Sequence, residues 1–141
     1  MSDSGAAPSR LDRWEAGDAY ERYVGRWSRL VAAEFVAWLG VSPGARWLDV
    51  GCGTGAVTDA LLRLAAPREV RGIDPSPGFV AHAGRSGQDD RVRVEMGDAQ
   101  AIDAGDGTFD AVVSGLVLNF VPRPDRALAE MARVKIGRAH V

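Results

Sequence analysis

The sequence predicts an α/β protein built on an open parallel sheet, and three observations support this. Short apolar segments typical of strands alternate with amphipathic segments at helical spacing. One strand runs directly into glycines at alternate positions, Gly51, Gly53 and Gly55, which open a helix. Acidic residues lie at or just after the ends of three strands, at Asp49, Asp74 and Asp98. Because parallel strands end at one edge of a sheet, a ligand site is predicted there.

The apolar patterns define the elements and their order. Strand three alternates apolar and charged residues, as an edge strand does, whereas strand four is apolar almost throughout and is expected to be internal. These patterns predict the sheet order 3-2-1-4. In chain order, the predicted elements are a helix over 18–39, strand one at Arg46–Val50, a helix over 56–65, strand two at Glu69–Asp74, a helix over 77–85, strand three at Arg91–Met96, strand four at Phe109–Ser114 and a helix over 125–134.

The length and composition limit the possible classes of protein. A chain of 141 residues with a net charge of −2 is at most one domain, and it gives no indication of a nucleic-acid or anionic-membrane partner. Its apolar runs are too short to span a bilayer. A single cysteine, Cys52, excludes an internal disulfide and fits a reducing cytoplasm. No Cys/His set has the spacing of metal ligands, so no metal is predicted.

The segment from Asp49 to Ala56 predicts a site for a nucleotide-like cofactor. A strand that enters a glycine turn and then a helix leaves the first helical amides without internal partners. Glycine also lets a ligand approach the main chain closely. Because Gly51-x-Gly53-x-x-Ala56 satisfies the dinucleotide fingerprint, an NAD-dependent oxidoreductase is one hypothesis.

Asp49 favours a different cofactor. It lies two residues before Gly51, where a carboxylate would repel a pyrophosphate, and no Lys or Arg occurs between Val50 and Leu62 to compensate. An acid beside this loop suits a cofactor that carries a positive charge and no phosphate. S-adenosyl-L-methionine, which has a sulfonium, an ammonium and a carboxylate, therefore fits better.

The pattern Asp49-x-Gly51-x-Gly53-x-Gly55 resembles the first motif of class I S-adenosylmethionine-dependent methyltransferases. The resemblance extends over about residues 20–134 and is to the small-molecule branch (methyltransferase type 11/25-like) that includes quinone-biosynthesis C-methyltransferases. It implies a Rossmann-like fold, here without the C-terminal strands 5-7, and methyl transfer by direct displacement to a small-molecule acceptor. Displacement requires alignment and exclusion of water rather than a general base, so no catalytic residue is assigned.

Asp74 is the predicted ribose ligand. It lies 23 residues beyond Gly51, close to the spacing at which an acid at the end of the second strand binds a ribose hydroxyl pair. The alternative is that Asp74 caps the next helix near Ser76. The ribose role fits either cofactor, so Asp74 does not separate the two hypotheses.

The resemblance also assigns the adenine side of the site. The segment Gly97-Asp98-Ala99 matches the positions at which the family holds adenine, through an acidic side chain and the following backbone amide. Alternatively, Gly97 and Asp98 are simply turn residues. Cys52 is interpreted as a small residue in a tight turn rather than a nucleophile. The predicted cofactor-binding residues are Asp49, Gly51, Cys52, Gly53, Gly55, Asp74, Pro75, Asp98, Ala99 and Ser114.

The acceptor side is assigned from the same resemblance. The segment after strand four borders both sulfonium and acceptor in the family, and the matching positions here are Ser114, Leu116 and Asn119. The first helix either packs on the sheet as an ordinary amphipathic helix or acts as a lid through Tyr20, Tyr23, Arg26 and Trp27. The predicted substrate contacts are Tyr23, Trp27 and Asn119.

The two ends of the chain carry separate predictions. Residues 1–17 are small and polar and predict a disordered or loosely docked arm. Residues 135–141 contain the only lysine, Lys135, and back-translate to a widely used sequencing adaptor, so they are predicted to be an artefact on a methyltransferase fragment. A non-catalytic cofactor-binding domain is the alternative from another class of protein.

Overall fold

The structure is a computed structural model that describes residues 25–86 and 89–137. The predicted arm at 1–17 and the predicted lid residues Tyr20 and Tyr23 lie outside the described residues. The described elements are α1 (Arg26–Leu39), β1 (Arg46–Val50), α2 (Ala56–Leu64), β2 (Glu69–Asp74), α3 (Pro77–Ser86), β3 (Val92–Met96), β4 (Ala111–Val113), a 3-10 turn (Leu118–Phe120) and α4 (Pro124–Val134).

The strands form one four-stranded parallel sheet in the order β3-β2-β1-β4, which confirms the predicted order and fold class. In this register Asp49 of β1 lies between Gly72 of β2 and Val113 of β4. Asp74 ends β2 opposite Met96, the last residue of β3. The carboxyl ends of β1 and β2 therefore place their two acids at the same edge of the sheet.

Two strands are shorter than predicted. β3 begins at Val92 rather than Arg91, and β4 spans Ala111–Val113 rather than Phe109–Ser114. Phe109 is excluded from β4 because its backbone turns to the other edge, where its amide donates to the Val134 carbonyl and its carbonyl accepts from the Ile136 amide, at 2.9 and 2.8 Å. In this sheet β4 is an edge strand, as the order 3-2-1-4 without strands 5-7 implies. Among the described residues, its outer side is bordered only by an isolated parallel bridge from Phe109 to Lys135.

The central strand β1 is buried on both faces. Trp47 packs into a cluster with Ala32 and Val36 of α1 and Leu61 of α2. Leu48 and Val50 point to the opposite face and pack against a second cluster that contains Ile73, Ile102, Phe109 and Val134. This two-sided burial explains why β1 reads as an apolar run, and it makes Asp49 the exceptional residue in that run.

α4 is tied to the loop before β4 by one side chain. Arg133 donates to the carbonyls of Ile102 and Ala104 at 2.9 and 2.8 Å, and it pairs with Glu130 and Asp106 at 2.8 and 2.9 Å. The hydrogen bonds from Arg133 lower the pKa of Glu130 to about 2. Glu130 in turn accepts from the Ile102 amide at 2.8 Å.

Replacing Arg133 with glutamine is expected to lower the free energy of unfolding, because two carbonyls and two carboxylates lose their charged donor. Urea denaturation at pH 7 measures the change. Arg126→Gln on the exposed face of the same helix is the matched control. Equal effects of the two substitutions would show that the Arg133 contacts add no stability.

Candidate cofactor site

A cavity of about 450 Å³ opens at the carboxyl edge of the sheet, between α1, the glycine loop after β1, the end of β2 and the segment after β4. Its volume is in the range of small-molecule and cofactor sites. Of the predicted cofactor-binding residues, the cavity is lined by Asp49, Gly51, Cys52, Gly53, Asp74, Pro75 and Ser114. It therefore brings together residues from three strand ends.

The glycine loop requires glycine for two different reasons. Gly51, Gly53 and Gly55 have φ angles of +71°, +53° and +96°, in the left-handed region that other residues rarely adopt. A Cβ on Gly51 would also lie 2.5 Å from a methyl carbon of Val117. A Cβ on Gly53 would meet nothing within 4 Å, so it would project into open space. Gly51 thus permits internal packing, whereas Gly53 keeps the cavity clear.

The amides of this loop bind protein oxygens. Those of Gly51 and Cys52 donate to the Ile73 carbonyl at 2.7 and 3.1 Å, and that of Gly53 donates to Asp74 Oδ2 at 2.9 Å. The Gly55 amide donates to the Cys52 carbonyl at 2.9 Å. The first three of these amides hold the loop against the end of β2, and the fourth closes the turn within the loop.

Asp49 is a buried carboxylate with one oxygen lacking a partner. Its side chain is 1% exposed, and Oδ2 accepts from the Thr58 hydroxyl at 2.8 Å. Oδ1 is buried and accepts no hydrogen bond from any residue within 25–86 or 89–137. Burial, reinforced by the nearby charge of Asp74, raises the pKa of Asp49 from 3.8 to about 7, although hydrogen bonding by the Thr58 hydroxyl and backbone opposes the rise. An unpartnered carboxylate oxygen of this kind fits a cationic hydrogen-bond donor.

Asp74 organises the end of β2. Its two oxygens accept from the amides of Gly53 and Ser76, each at 2.9 Å, so the residue fixes both the glycine loop and the start of α3. The first turn of α3 is contacted by Ser76 rather than Asp74: the Ser76 hydroxyl accepts from the Phe79 amide at 3.3 Å. Burial raises the pKa of Asp74. Each carboxylate oxygen retains a second lone pair, which leaves capacity for two ribose hydroxyls.

Cys52 contributes a small neutral side chain to the cavity wall. It is 6% exposed, and its Sγ lies 3.0 Å from the position that a Cβ on Gly72 would occupy. Burial, with the charges of Asp49 and Asp74, raises the pKa of the thiol. The thiolate is disfavoured, which agrees with the interpretation of Cys52 as a small packing residue.

The segment after β4 forms one wall of the cavity. The Ser114 hydroxyl donates to the Val50 carbonyl at 3.0 Å, which joins the ends of β4 and β1. Leu116, Val117 and Phe120 then line the cavity with apolar side chains. Asn119, predicted as a substrate contact, is exposed and does not line the cavity, because the 3-10 turn directs its neighbour Phe120 there instead.

Helix α1 forms the facing wall, but through residues other than those predicted. Ser28, Val31 and Phe35 line the cavity at helical spacing. The predicted contact Trp27 is 66% exposed and lies outside the lining. The helix is held over the loop by an ion pair between Arg29 and Asp59 of α2, at 2.7 Å.

Asp98 and Ala99, the predicted adenine residues, do not line this cavity. Asp98 is exposed, and its Oδ1 accepts from the backbone and side-chain nitrogens of Gln100 at 2.8 and 3.2 Å. This is the turn geometry of the alternative interpretation. The Gly97 amide donates to the Asp74 carbonyl at 3.1 Å. The start of this segment therefore lies beside the end of β2, at the same edge of the sheet as Asp74.

Sequence reasoning missed several lining residues. The most informative of these is Val117, which packs on Gly51, and Thr58, which is not in the lining but donates to Asp49, was missed as well. The i, i+3, i+7 pattern of Ser28, Val31 and Phe35 was visible in the sequence, but a broad apolar stripe does not show which of its sides meets the site. Phe79, one turn into α3 after Pro75, is also in the lining and could have been proposed from its position.

Comparison with known proteins places the chain in a family. Residues 48–138 match the model of a family described as a methyltransferase domain. The match covers most of the described sheet and both acids at its edge. The chain belongs to this methyltransferase domain family, and its fold is that of the class I S-adenosylmethionine-dependent methyltransferases.

Several curated proteins are similar to this chain. A demethylmenaquinone methyltransferase of Symbiobacterium thermophilum is 35% identical over 117 residues, which cover 79% of this chain and 46% of the relative. An uncharacterized 37.1 kDa protein in transposon TN4556 of Streptomyces fradiae is 38% identical over 98 residues, which cover 68% of this chain and 28% of the relative. The chain thus spans less than half the length of these relatives.

Solved structures share the fold. A chain of the complex between the Haloferax volcanii Trm112 methyltransferase activator and a methyltransferase superposes with a TM-score of 0.80 at 25% identity, covering 93% of this chain and 57% of that one. The [4+2]-cyclase SpnF superposes with a TM-score of 0.68 at 34% identity, covering 77% and 41%. The second similarity shows that this fold is not confined to proteins named as methyltransferases.

Proposed function

We propose that the chain is the cofactor-binding part of an S-adenosylmethionine-dependent methyltransferase that acts on a small-molecule acceptor. The observation that carries the proposal is Asp49, a residue of the cavity lining whose buried Oδ1 has no hydrogen-bond partner among the described residues. A cofactor ammonium placed there would supply the missing donor and compensate the buried charge.

The cavity's charges support this cofactor over NAD. Among the described lining residues the charged side chains are Asp49 and Asp74, and none is basic. Two carboxylates at the floor would repel a pyrophosphate, and the amides of residues 51–53 already bind Ile73 and Asp74. A cofactor with an ammonium and a sulfonium meets a favourable potential in the same place.

The residues of the chain would contribute binding, orientation and exclusion of water. S-adenosylmethionine supplies, when bound, an electrophilic methyl group on a sulfonium. Asp49 would hold the ammonium, Asp74 would accept from the ribose hydroxyls, and Gly53 would leave room for close approach. The apolar walls from α1 and the segment after β4 would exclude water from the reacting centre. Asp98 and Ala99 remain the proposed adenine contacts, outside the cavity lining.

Calorimetry with S-adenosylhomocysteine and with NAD tests the proposal. S-adenosylhomocysteine keeps the ammonium, ribose and adenine, so it is expected to bind with a dissociation constant at or below about 100 µM, and NAD at least about 30-fold more weakly. Tighter binding of NAD would contradict the proposal and favour an oxidoreductase. Absence of binding by either ligand would also contradict it.

The similarity to a [4+2]-cyclase favours one second candidate, a protein that holds the cofactor without transferring its methyl group. Both candidates predict binding of S-adenosylhomocysteine, so binding does not separate them. A methyl-transfer assay separates them. The full-length protein is incubated with [methyl-³H]-S-adenosylmethionine and an organic extract of its host, and the label in acceptor molecules is measured. Label above that of an Asp49→Asn control supports methyl transfer, and equal label favours the second candidate.

A further inference from the structure

Thr58 lies behind the proposed cofactor site without lining it. It is the third residue of α2, which begins at Ala56, and its side chain is buried. Its hydroxyl donates to Asp49 Oδ2 at 2.8 Å, and the two residues are nine positions apart in the sequence. Because Thr58 is outside the cavity lining, any effect that it has on a ligand in the cavity must pass through Asp49.

The carboxylate of Asp49 needs an external partner to fix its orientation. The terminal torsion of an aspartate side chain has broad, roughly twofold minima, so the backbone alone does not decide where each oxygen points. The neighbouring strand residues in register, Gly72 and Val113, have no polar side-chain atom. The Thr58 hydroxyl occupies Oδ2, whereas Oδ1 has no partner within residues 25–86 and 89–137. Thr58 therefore decides which oxygen is left for a ligand.

We propose that Thr58 is a positioning residue for cofactor binding: by holding Oδ2, it leaves Oδ1 of Asp49 as the oriented acceptor for the cofactor ammonium. The proposal rests on the proposed function, because the ammonium is that of S-adenosylmethionine. Thr58 itself touches neither cofactor nor acceptor. Its contribution is to fix the carboxylate before the cofactor arrives, since a charge-assisted hydrogen bond is strong only when donor and acceptor are aligned.

The same contact favours the ionised form of Asp49, which is the form that binds an ammonium. Burial raises the pKa of Asp49 to about 7, and hydrogen bonding by Thr58 opposes the rise. The other titratable or charged groups around it are Asp74 of β2, Asp59 of α2, Cys52 of the glycine loop and, from α1, Arg29, which pairs with Asp59 at 2.7 Å. The two aspartates add to the rise, and the Cys52 thiol stays neutral because its own pKa is raised. Loss of the Thr58 hydroxyl is therefore expected to raise the pKa of Asp49 further.

This linkage gives cofactor binding a pH dependence that Thr58 sets. Below pH 7 the ligand-free site holds a proton on Asp49, and that proton must leave to solvent when an ammonium binds. The affinity for S-adenosylhomocysteine is expected to fall about tenfold per pH unit from pH 7 to pH 5.5. Asp49→Asn removes the titrating group, so its weaker binding is expected to lack this dependence and corrects for titration of the ligand.

Calorimetry with S-adenosylhomocysteine at pH 5.5, 6.5, 7.5 and 8.5 tests the role of Thr58 in the 141-residue chain. Thr58→Val removes the hydroxyl and keeps the shape, so binding at pH 7.5 is expected to weaken at least about 5-fold, and the pH below which affinity falls is expected to rise by about one unit. Thr58→Ser keeps the hydroxyl and is expected to bind within about twofold of the wild type, with its pH profile unchanged. Thr108→Val removes a hydroxyl that donates to the Gly105 carbonyl outside the cavity lining, and it is expected to change neither quantity.

A double variant shows whether Thr58 acts through Asp49. Adding Thr58→Val to Asp49→Asn is expected to weaken binding less than about twofold further, because the group that Thr58 orients is already altered. Since Asp49→Asn is expected to stabilise the protein, this comparison remains possible where Thr58→Val alone does not fold. A further loss of about 5-fold or more in the double variant would overturn the proposal.

Two results with the single variants would also overturn it. One is a Thr58→Val variant with the affinity and pH profile of the wild type, which would make the hydrogen bond merely structural. The other is a Thr58→Ser variant that binds as weakly as Thr58→Val, which would assign the effect to the methyl group. If the wild type binds S-adenosylhomocysteine and either result appears, only this inference fails. If the wild type does not bind it, the proposed function fails too.

Discussion

Replacing Asp49 with asparagine is expected to stabilise the ligand-free protein at pH 8 and to weaken binding of S-adenosylhomocysteine at least about 30-fold. The stabilisation follows from the buried charge, because a pKa raised from 3.8 to about 7 opposes ionisation in the folded state. Above pH 7, ionised Asp49 therefore costs the folded state on the order of 4 kcal/mol. An unpartnered asparagine amide offsets part of the gain, so a net increase of about 1–3 kcal/mol is expected. The weaker binding follows from loss of the charged acceptor.

The pH dependence of the Asp49→Asn effect has a defined sign. Between pH 4 and 7 the folded state holds a proton on Asp49 that the unfolded chain has released, so the stability contributed by this residue falls as the pH rises through that range. The advantage of the asparagine variant therefore grows from about pH 4 to about pH 7 and then becomes constant. Chemical denaturation of both proteins at pH 5, 6, 7 and 8 measures it.

Two further variants control the Asp49 experiment. Thr58→Val removes the donor to Asp49 Oδ2, so it is expected to destabilise the protein by about 1–3 kcal/mol, opposite in sign to Asp49→Asn. Asp103→Asn changes an exposed aspartate and is expected to have little effect. An Asp49→Asn variant that is less stable at pH 8, with unchanged ligand affinity, would contradict the assignment of Asp49.

Replacing Gly51 with alanine is expected to reduce the free energy of unfolding by about 3 kcal/mol or more. The residue has a φ of +71°, which costs an alanine about 1–2 kcal/mol. Its Cβ would also lie 2.5 and 2.7 Å from the two methyl carbons of Val117, so the segment after β4 must shift. Thermal and urea denaturation measure the loss.

Gly53→Ala separates backbone strain from the steric clash. Its φ is +53°, but no atom lies within 4 Å of the added methyl, so only the backbone cost of about 1–2 kcal/mol is expected. Because the methyl occupies the cavity, affinity for S-adenosylhomocysteine is nevertheless expected to fall at least about 10-fold. The double variant Gly51→Ala with Val117→Ala should recover the part of the Gly51→Ala loss that is due to the clash. No recovery would show that Val117 is not the limiting contact.

The sequence was sufficient for features that depend on local chemistry. The glycine spacing, the acids at the strand ends and the alternation in strand three predicted the sheet order and put Asp49 and Asp74 at one edge. These patterns are short-range and have few physical solutions. The ends of β4 were less predictable, because Phe109 bonds to backbone groups of residues 134 and 136, which are far away in the sequence.

The walls of the site depend on tertiary packing and were predicted less well. Helical periodicity made Trp27 and Val31 equivalent apolar residues, yet packing on α2 turns Val31 toward the cavity and Trp27 toward solvent. The contact between Val117 and Gly51 joins residues 66 positions apart and has no local signature. The Gln100 contacts of Asp98 likewise followed from a turn that the motif alone did not distinguish from a ligand site.

A crystal structure of the protein with S-adenosylhomocysteine is the most direct test of the central claim. The account predicts the ligand ammonium at about 2.7–3.0 Å from Asp49 Oδ1 and the ribose hydroxyls on Asp74. It also predicts that the thioether faces the apolar walls of the cavity. A ligand bound elsewhere, or one whose carboxylate rather than its ammonium faces Asp49, would contradict the account.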